Sequence, residues 1–194
     1  MDDARISSWF DDTKIFGFWV YLMTDLVIFS VLFATFIVLR DNTYGGPSGR
    51  ELFELPFALA ETLILLTSSF TCAMGTLAVH REEKKAALFW FLITFALGAS
   101  FLILELSEFS TFVHTGASWR RSAFLSSFFT LVGTHGLHIC IGLLWMLVAM
   151  CRIATRPFSV PGVSRIFRMA LFWHFLDLVW VFIFTIVYGM SFLL

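Results

Sequence analysis

Three short segments carry pairs of side chains able to bind a metal or a proton, each pair spaced by three. "ELSE" holds Glu105 and Glu108, "HGLH" holds His135 and His138, and "HFLD" holds His174 and Asp177. On an α-helix, positions i and i+3 share a face, so each segment presents both groups on one side. Such pairs suit a metal centre built between helices. They suit equally the polar interior of a bundle, where side-chain hydrogen bonds lock neighbouring helices together. Asp25 and Glu61 are further carboxyls set within apolar runs. Which chemistry these residues serve depends on the elements that hold them.

Those elements belong in lipid. Of the 194 residues 59% are hydrophobic and 14% charged, against about 25% charged in a typical soluble domain. Mean hydropathy is +0.86. A helix needs roughly 20 apolar residues to cross the hydrocarbon core. Five stretches meet that need: Phe16–Leu39, Leu55–Val79, Ala86–Leu106, Phe124–Met150 and Met169–Leu193. The connections between them are rich in Gly, Pro, Asn and charge, as in "RDNTYGGPSGRE" and "HREEKK". The expected architecture is therefore all-α, an integral membrane bundle of five transmembrane helices. Residues 1–15 form a tail and 16–194 the transmembrane domain. The tail lacks the apolar core and cleavage site of a signal peptide.

Orientation follows from Lys and Arg. The tail and the second and fourth connections hold nine (Arg5, Lys14, Arg81, Lys84, Lys85, Arg152, Arg156, Arg165, Arg168). The opposite side holds four (Arg40, Arg50, Arg120, Arg121). The N-terminus is thus expected in the cytoplasm and the C-terminus in the periplasm. A net charge of −1 without a basic cluster gives no footprint for nucleic acid. Cys72, Cys140 and Cys151 have no paired spacing, so neither a disulfide framework nor a cysteine metal site is expected.

Helix rise sorts the ionisable residues by depth. Measured from the cytoplasmic ends, Asp25 and Asp177 lie at roughly 14 and 12 Å, and His138 and His135 at roughly 18 and 22 Å. Glu61 and Glu105 lie at roughly 27 to 29 Å, and His174 at about 8 Å. Metal ligands must converge to within about 2.0–2.2 Å of one ion. Glu105 and His174, some 20 Å apart in rise, cannot share one. A di-iron bundle would also call for Glu-x-x-His pairs, whereas these are Glu–Glu, His–His and His–Asp. The expectation is two structural clusters without metal, cofactor or catalytic residues. The lower is Asp25, His138 and Asp177; the upper is Glu61, Glu105 and His135. Trp90, Trp145 and Trp173 are expected at the cytoplasmic interface. Gly133, Gly136 and Gly142 are expected to let helices approach closely.

The motifs also carry a resemblance. "GTHGLHICIGLLW" followed by "FWHFLDLVWVFIFTIVY" resembles the two C-terminal helices of subunit III of the haem-copper oxidases. "ETLILLTSS" and "LELSEF" resemble its preceding helices, and "KIFGFWVYLMTD" is similar to subunit III of the cytochrome o-type ubiquinol oxidases. The likeness runs from about Thr13 to the C-terminus, with five helices where many members have seven. It implies a multi-pass protein of the bacterial inner membrane, within a complex that oxidises ubiquinol, reduces dioxygen to water and translocates protons. It further implies haem and copper in subunit I and no redox centre in this chain. The implied role is packing on subunit I, contact with the other oxidase subunits, binding of phospholipid with ubiquinone as a further ligand, and support of assembly and proton uptake. Asp25 stands where cytochrome c oxidases of the family usually have Glu, on a helix lying toward subunit I. The alternatives are subunit III of a cytochrome c oxidase, a membrane metalloprotein using His135 and His138, and a small proton-coupled transporter.

Overall fold

The structure is a computed structural model that describes residues 12–47, 49–53, 55–155 and 157–193. Most of the expected tail, residues 1–11, lies outside the described residues. Every regular element among the described residues is helical. These are α1 (Asp12–Leu39), the short α2 (Gly49–Leu52), α3 (Leu55–His80), α4 (Lys84–His114), α5 (Ala123–Thr155) and α6 (Val160–Ile183). A π-helical segment, Phe184–Gly189, and the single turn α7 (Met190–Leu193) complete the chain. Among the described residues five segments are long and apolar enough to span a membrane: Lys14–Leu39, Leu55–His80, Lys84–His114, Ala123–Thr155 and Gly162–Gly189.

The helices run past the apolar stretches that announce them. α4 continues eight residues beyond Leu106, to His114, because a helix ends where its backbone is capped and not where apolar residues stop. Its last turn closes with Thr115 and Ala117 amides bonding back to Thr111 and Phe112, next to Gly116 at φ +84°. α6 starts at Val160, within a segment whose Pro and Gly mark it as connection. Ser159 precedes it in extended conformation, and the proline falls in the first turn, where its missing N–H leaves no bond unmade.

α3, α4, α5 and α6 pack as a closed ring, each touching the next and α6 returning to α3. α1 lies outside the ring against α5, with a smaller contact to α6. Its buried side is one stripe, Leu22, Asp25, Phe29 and Phe36, the spacing of a single helical face. Its other side is bare: Phe16, Val27, Val31 and Val38 are each at least 60% exposed.

The ring closes on Trp173. Its side chain is buried in the core, so it is no interfacial residue, and its indole N–H donates to Ser68 Oγ at 3.1 Å. A Cβ built on Gly98 of α4 would sit 2.5 Å from Trp173 Cη2, and one on Gly142 of α5 3.1 Å from Cε3 and Cζ3. These two glycines make the room for the indole. Gly133 and Gly136 make no such room, and a Cβ on Gly136 would meet nothing within 4 Å.

Candidate functional site

The ionisable residues of the spans fall into three groups at different levels. Asp25 of α1 faces α5, 5% exposed, with Oδ1 3.9 Å from His138 Nε2. That is an ion-pair distance, longer than a hydrogen bond. The other ring nitrogen of His138 lies 2.7 Å from the Thr134 carbonyl oxygen. A carbonyl only accepts, so Nδ1 carries hydrogen and Nε2 is the atom turned to the carboxyl. Asp25 Oδ2 is buried without a hydrogen-bond partner. Phe29 and Phe172 flank the imidazole, at 5.3 and 6.4 Å between ring centres.

Asp177 does not join this pair. Ser69 of α3 lies 2.6 Å through Oγ from Nδ1 of His174, and the Asp177 carboxyl sits beside the same hydroxyl. α6 thus directs its i,i+3 pair to α3, away from α1. Depth along the helix axes, which suggested the grouping with Asp25, carries no information on which side of α6 a residue lies.

The upper group is built from carboxyls. Glu61 of α3 and Glu105 and Glu108 of α4 each bring an oxygen within 4.8 Å of the others. The Tyr188 hydroxyl donates to Glu108 Oε2 at 2.9 Å, from the π-helical segment, a geometry that often re-aims a side chain. Both oxygens of Glu61 and of Glu105 are buried without a partner. Above them, Phe53, the residue after α2, turns inward and covers Tyr188 at 4.8 Å and Phe128 at 4.9 Å between ring centres. Two full charges about 5 Å apart repel by roughly 3 kcal/mol at an effective dielectric of about 20. Binding of a proton or a cation relieves that repulsion.

His135 is not a member of it by any hydrogen bond. Its ring stacks on Trp180 at 5.4 Å and meets Phe101 edge-on at 6.1 Å, and both nitrogens are unpartnered. The Trp180 indole, one layer from the carboxyls, donates to Thr62 Oγ1 at 3.1 Å. His135 and His138 thus turn to different neighbours. Glu108, Tyr188 and Ser69 are the residues that spacing alone did not bring into the clusters. Glu108 had a signal, its position three after Glu105. Tyr188 and Ser69 had none, since each reaches its partner from another helix.

The Tyr188 bond has a measurable consequence. Tyr188→Phe removes the donor and leaves Glu108 Oε2 without it, at an expected cost of about 1 kcal/mol. The purified protein should dissociate at a lower temperature, while Tyr44→Phe, at an exposed position in the connection between α1 and α2, should leave the midpoint unchanged.

A family model described as Cytochrome c oxidase subunit III matches residues 11–192. The chain is 52% identical to cytochrome bo(3) ubiquinol oxidase subunit 3 of Pseudomonas aeruginosa, over 91% of this chain and 85% of that one. It is 46% identical to quinol oxidase subunit 3 of Bacillus subtilis, covering 92% and 87% of the two chains. It is 47% identical to cytochrome c oxidase subunit 3 of Bacillus sp. strain PS3, covering 92% and 86%.

Proposed function

The chain belongs to the cytochrome c oxidase subunit III family, as subunit III of a haem-copper quinol oxidase, and from that premise we propose that it is the non-catalytic subunit of a proton-pumping ubiquinol oxidase in a bacterial inner membrane. Ubiquinol oxidation and dioxygen reduction then occur on the haem and copper of subunit I. This chain packs on subunit I, contacts membrane phospholipid and ubiquinone, and supports assembly and proton uptake. Its N-terminus lies in the cytoplasm and its C-terminus in the periplasm.

The observation that carries the reading is the division of α1. The carboxyl within its span, Asp25, is turned inward to His138, and its outward side is mostly apolar, with Phe16, Val27, Val31 and Val38 exposed. A helix so held, outside a closed ring and bare on the far side, is built to be covered by another membrane protein or by lipid. The inward carboxyl also bears on the rival readings. A metalloprotein using His135 and His138 would want both rings turned to one point, and they turn apart. A transporter would want a path through the ring. Cavities of about 370, 380 and 500 Å³ lie instead at helix ends, lined respectively by Arg40 and Arg50, by Arg152 and Arg165, and by Arg120 and Arg121.

On this reading the carboxyls of α3 and α4 hold no metal, and Tyr188 donates into the group. Glu105→Gln should then leave the metal content of the purified complex unchanged. A loss of one divalent ion per complex in that variant would overturn this part of the reading.

The electron donor is tested on the purified complex. Ubiquinol should support oxygen consumption and reduced cytochrome c should not. The reverse preference would assign the chain to a cytochrome c oxidase, as the name of the Bacillus sp. strain PS3 relative has it.

A further inference from the structure

We infer that the cavity walled by Arg40 and Arg50 binds the phosphodiester headgroup of a membrane phospholipid. The cavity lies at the end of the bundle that carries the α1–α2 and α4–α5 connections. The inference rests on the reading that the chain contacts phospholipid, and deepens it by naming the place and the groups. Three observations carry it.

The first is charge. The cavity holds about 370 Å³, within the range of small-molecule sites, about 300–1,000 Å³. Its charged lining is Arg40 and Arg50 against one carboxylate, Asp41. Asp41 Oδ1 lies 3.6 Å from Arg40 Nε, but the Asp41 side chain is 88% exposed, whereas that of Arg40 is 28% exposed. An ion pair with one member out in solvent contributes little. The cavity wall thus stays positive, and its charge sits on a guanidinium already seated by packing. A guanidinium presents N–H groups in a planar fork that matches phosphate oxygens two at a time.

The second is level. The span of α1 is 26 residues, Lys14–Leu39, or about 39 Å of helix. The hydrocarbon core is about 30 Å thick, and about 40–45 Å with the headgroup layers. Arg40, the residue after this span, therefore stands among the phosphates of the lipid headgroups.

The third is the floor. Phe36 of α1 and Ile186 of the π-helical segment line the cavity together with Phe124 of α5. One turn deeper on each of the first two helical segments, Phe33 and Phe182 meet at 6.4 Å between ring centres, and Phe182 is 50% exposed. The apolar floor thus continues into the seam between α1 and α6. A glycerol backbone and the first part of an acyl chain fit such a floor below a bound phosphate. Free phosphate uses the arginines and gains nothing from the rings.

The test places the purified complex in vesicles of phosphatidylethanolamine and phosphatidylglycerol. A fraction of the lipid carries a photoreactive diazirine on an acyl carbon near the glycerol. Peptides containing Phe36 and Ile186 should be labelled. Arg40→Gln with Arg50→Gln should lower the yield on those peptides about fivefold or more, the factor expected for loss of one basic contact to lipid phosphate. The Lys pair, Arg40→Lys with Arg50→Lys, keeps the charge without the fork and should give an intermediate yield. Arg120→Gln, at the neighbouring cavity, should leave the yield unchanged. If the double Gln variant does not accumulate, Arg50→Gln alone replaces it, with a loss in the same direction expected. A yield indifferent to Arg40 and Arg50 would overturn the inference. Millimolar inorganic phosphate should not displace the label; displacement would assign the site to free phosphate and overturn the lipid. Label on α1 at Val27 but none at Phe36 and Ile186 would sink the site and leave the phospholipid reading standing. No label anywhere on the chain would count against that reading itself.

Discussion

Gly98→Ala should weaken the bundle more than any comparable single methyl elsewhere in it. The added Cβ would lie 2.5 and 2.7 Å from two carbons of the Trp173 ring and 3.1 Å from Leu143 Cδ2. The indole cannot simply move aside. Its N–H is held by Ser68 across the ring of helices, and Gly142 already brings α5 within contact of its other edge. Overpacking of this kind typically costs about 1–3 kcal/mol, through off-rotamer side chains and backbone shifts. In this chain it should spread α4 from α6 and lower the temperature at which the purified complex falls apart. Trp173→Phe removes the two clashing carbons, so the double variant should lose less than the sum of the two single losses. Gly136→Ala serves as the control, because its Cβ would enter open space. Equal midpoints for the Gly98 and Gly136 variants would contradict the packing described for Trp173.

His138→Leu is expected to have the next largest effect. It removes the group that faces Asp25 and leaves a carboxyl buried between α1 and α5. An unpaired buried polar group costs about 1–3 kcal/mol. The loss should fall on the docking of α1, since Asp25 is the one ionisable residue on its buried stripe. Asp25→Asn should be milder, because an amide can still donate to Nε2. The double variant should recover part of the His138→Leu loss. The 3.9 Å separation limits the coupling energy to less than a close hydrogen bond would give, and membrane hydrogen bonds average about 0.6 kcal/mol in cycles of this kind. A double-mutant cycle on complex stability in mild detergent measures it. Strictly additive losses would mean that the pair does not interact.

Much of this arrangement is legible in the residues. The spans are fixed by the length of apolar runs, which is why five were expected and five segments of sufficient length and hydropathy occur. Helix ends are less so, because backbone capping and not hydropathy sets them; α4 outruns its apolar stretch to His114 and α6 starts early at Val160. Depth grouped Glu61 with Glu105, which share one level and one site. Depth also grouped Asp177 with Asp25, and there it misled. Rise along an axis is blind to rotation about it, and α6 turns His174 to Ser69 on α3, with Asp177 on the same face. Partners on a different helix with an unremarkable polar side chain, Ser69 and Tyr188, have no local signal at all. Trp173 shows the opposite limit. Indoles are common at membrane interfaces, but two glycines on neighbouring helices open a seat for this one inside the ring.

That this chain serves as a subunit of a haem-copper quinol oxidase is tested most directly by recovering it from its native membrane. With an affinity tag on this chain and a mild detergent, the purified material should contain subunit I in equal amount, show its haem spectrum, and consume oxygen with ubiquinol as donor. Recovery of the chain without haem protein and without quinol-dependent oxygen consumption, from membranes that retain both, would contradict it.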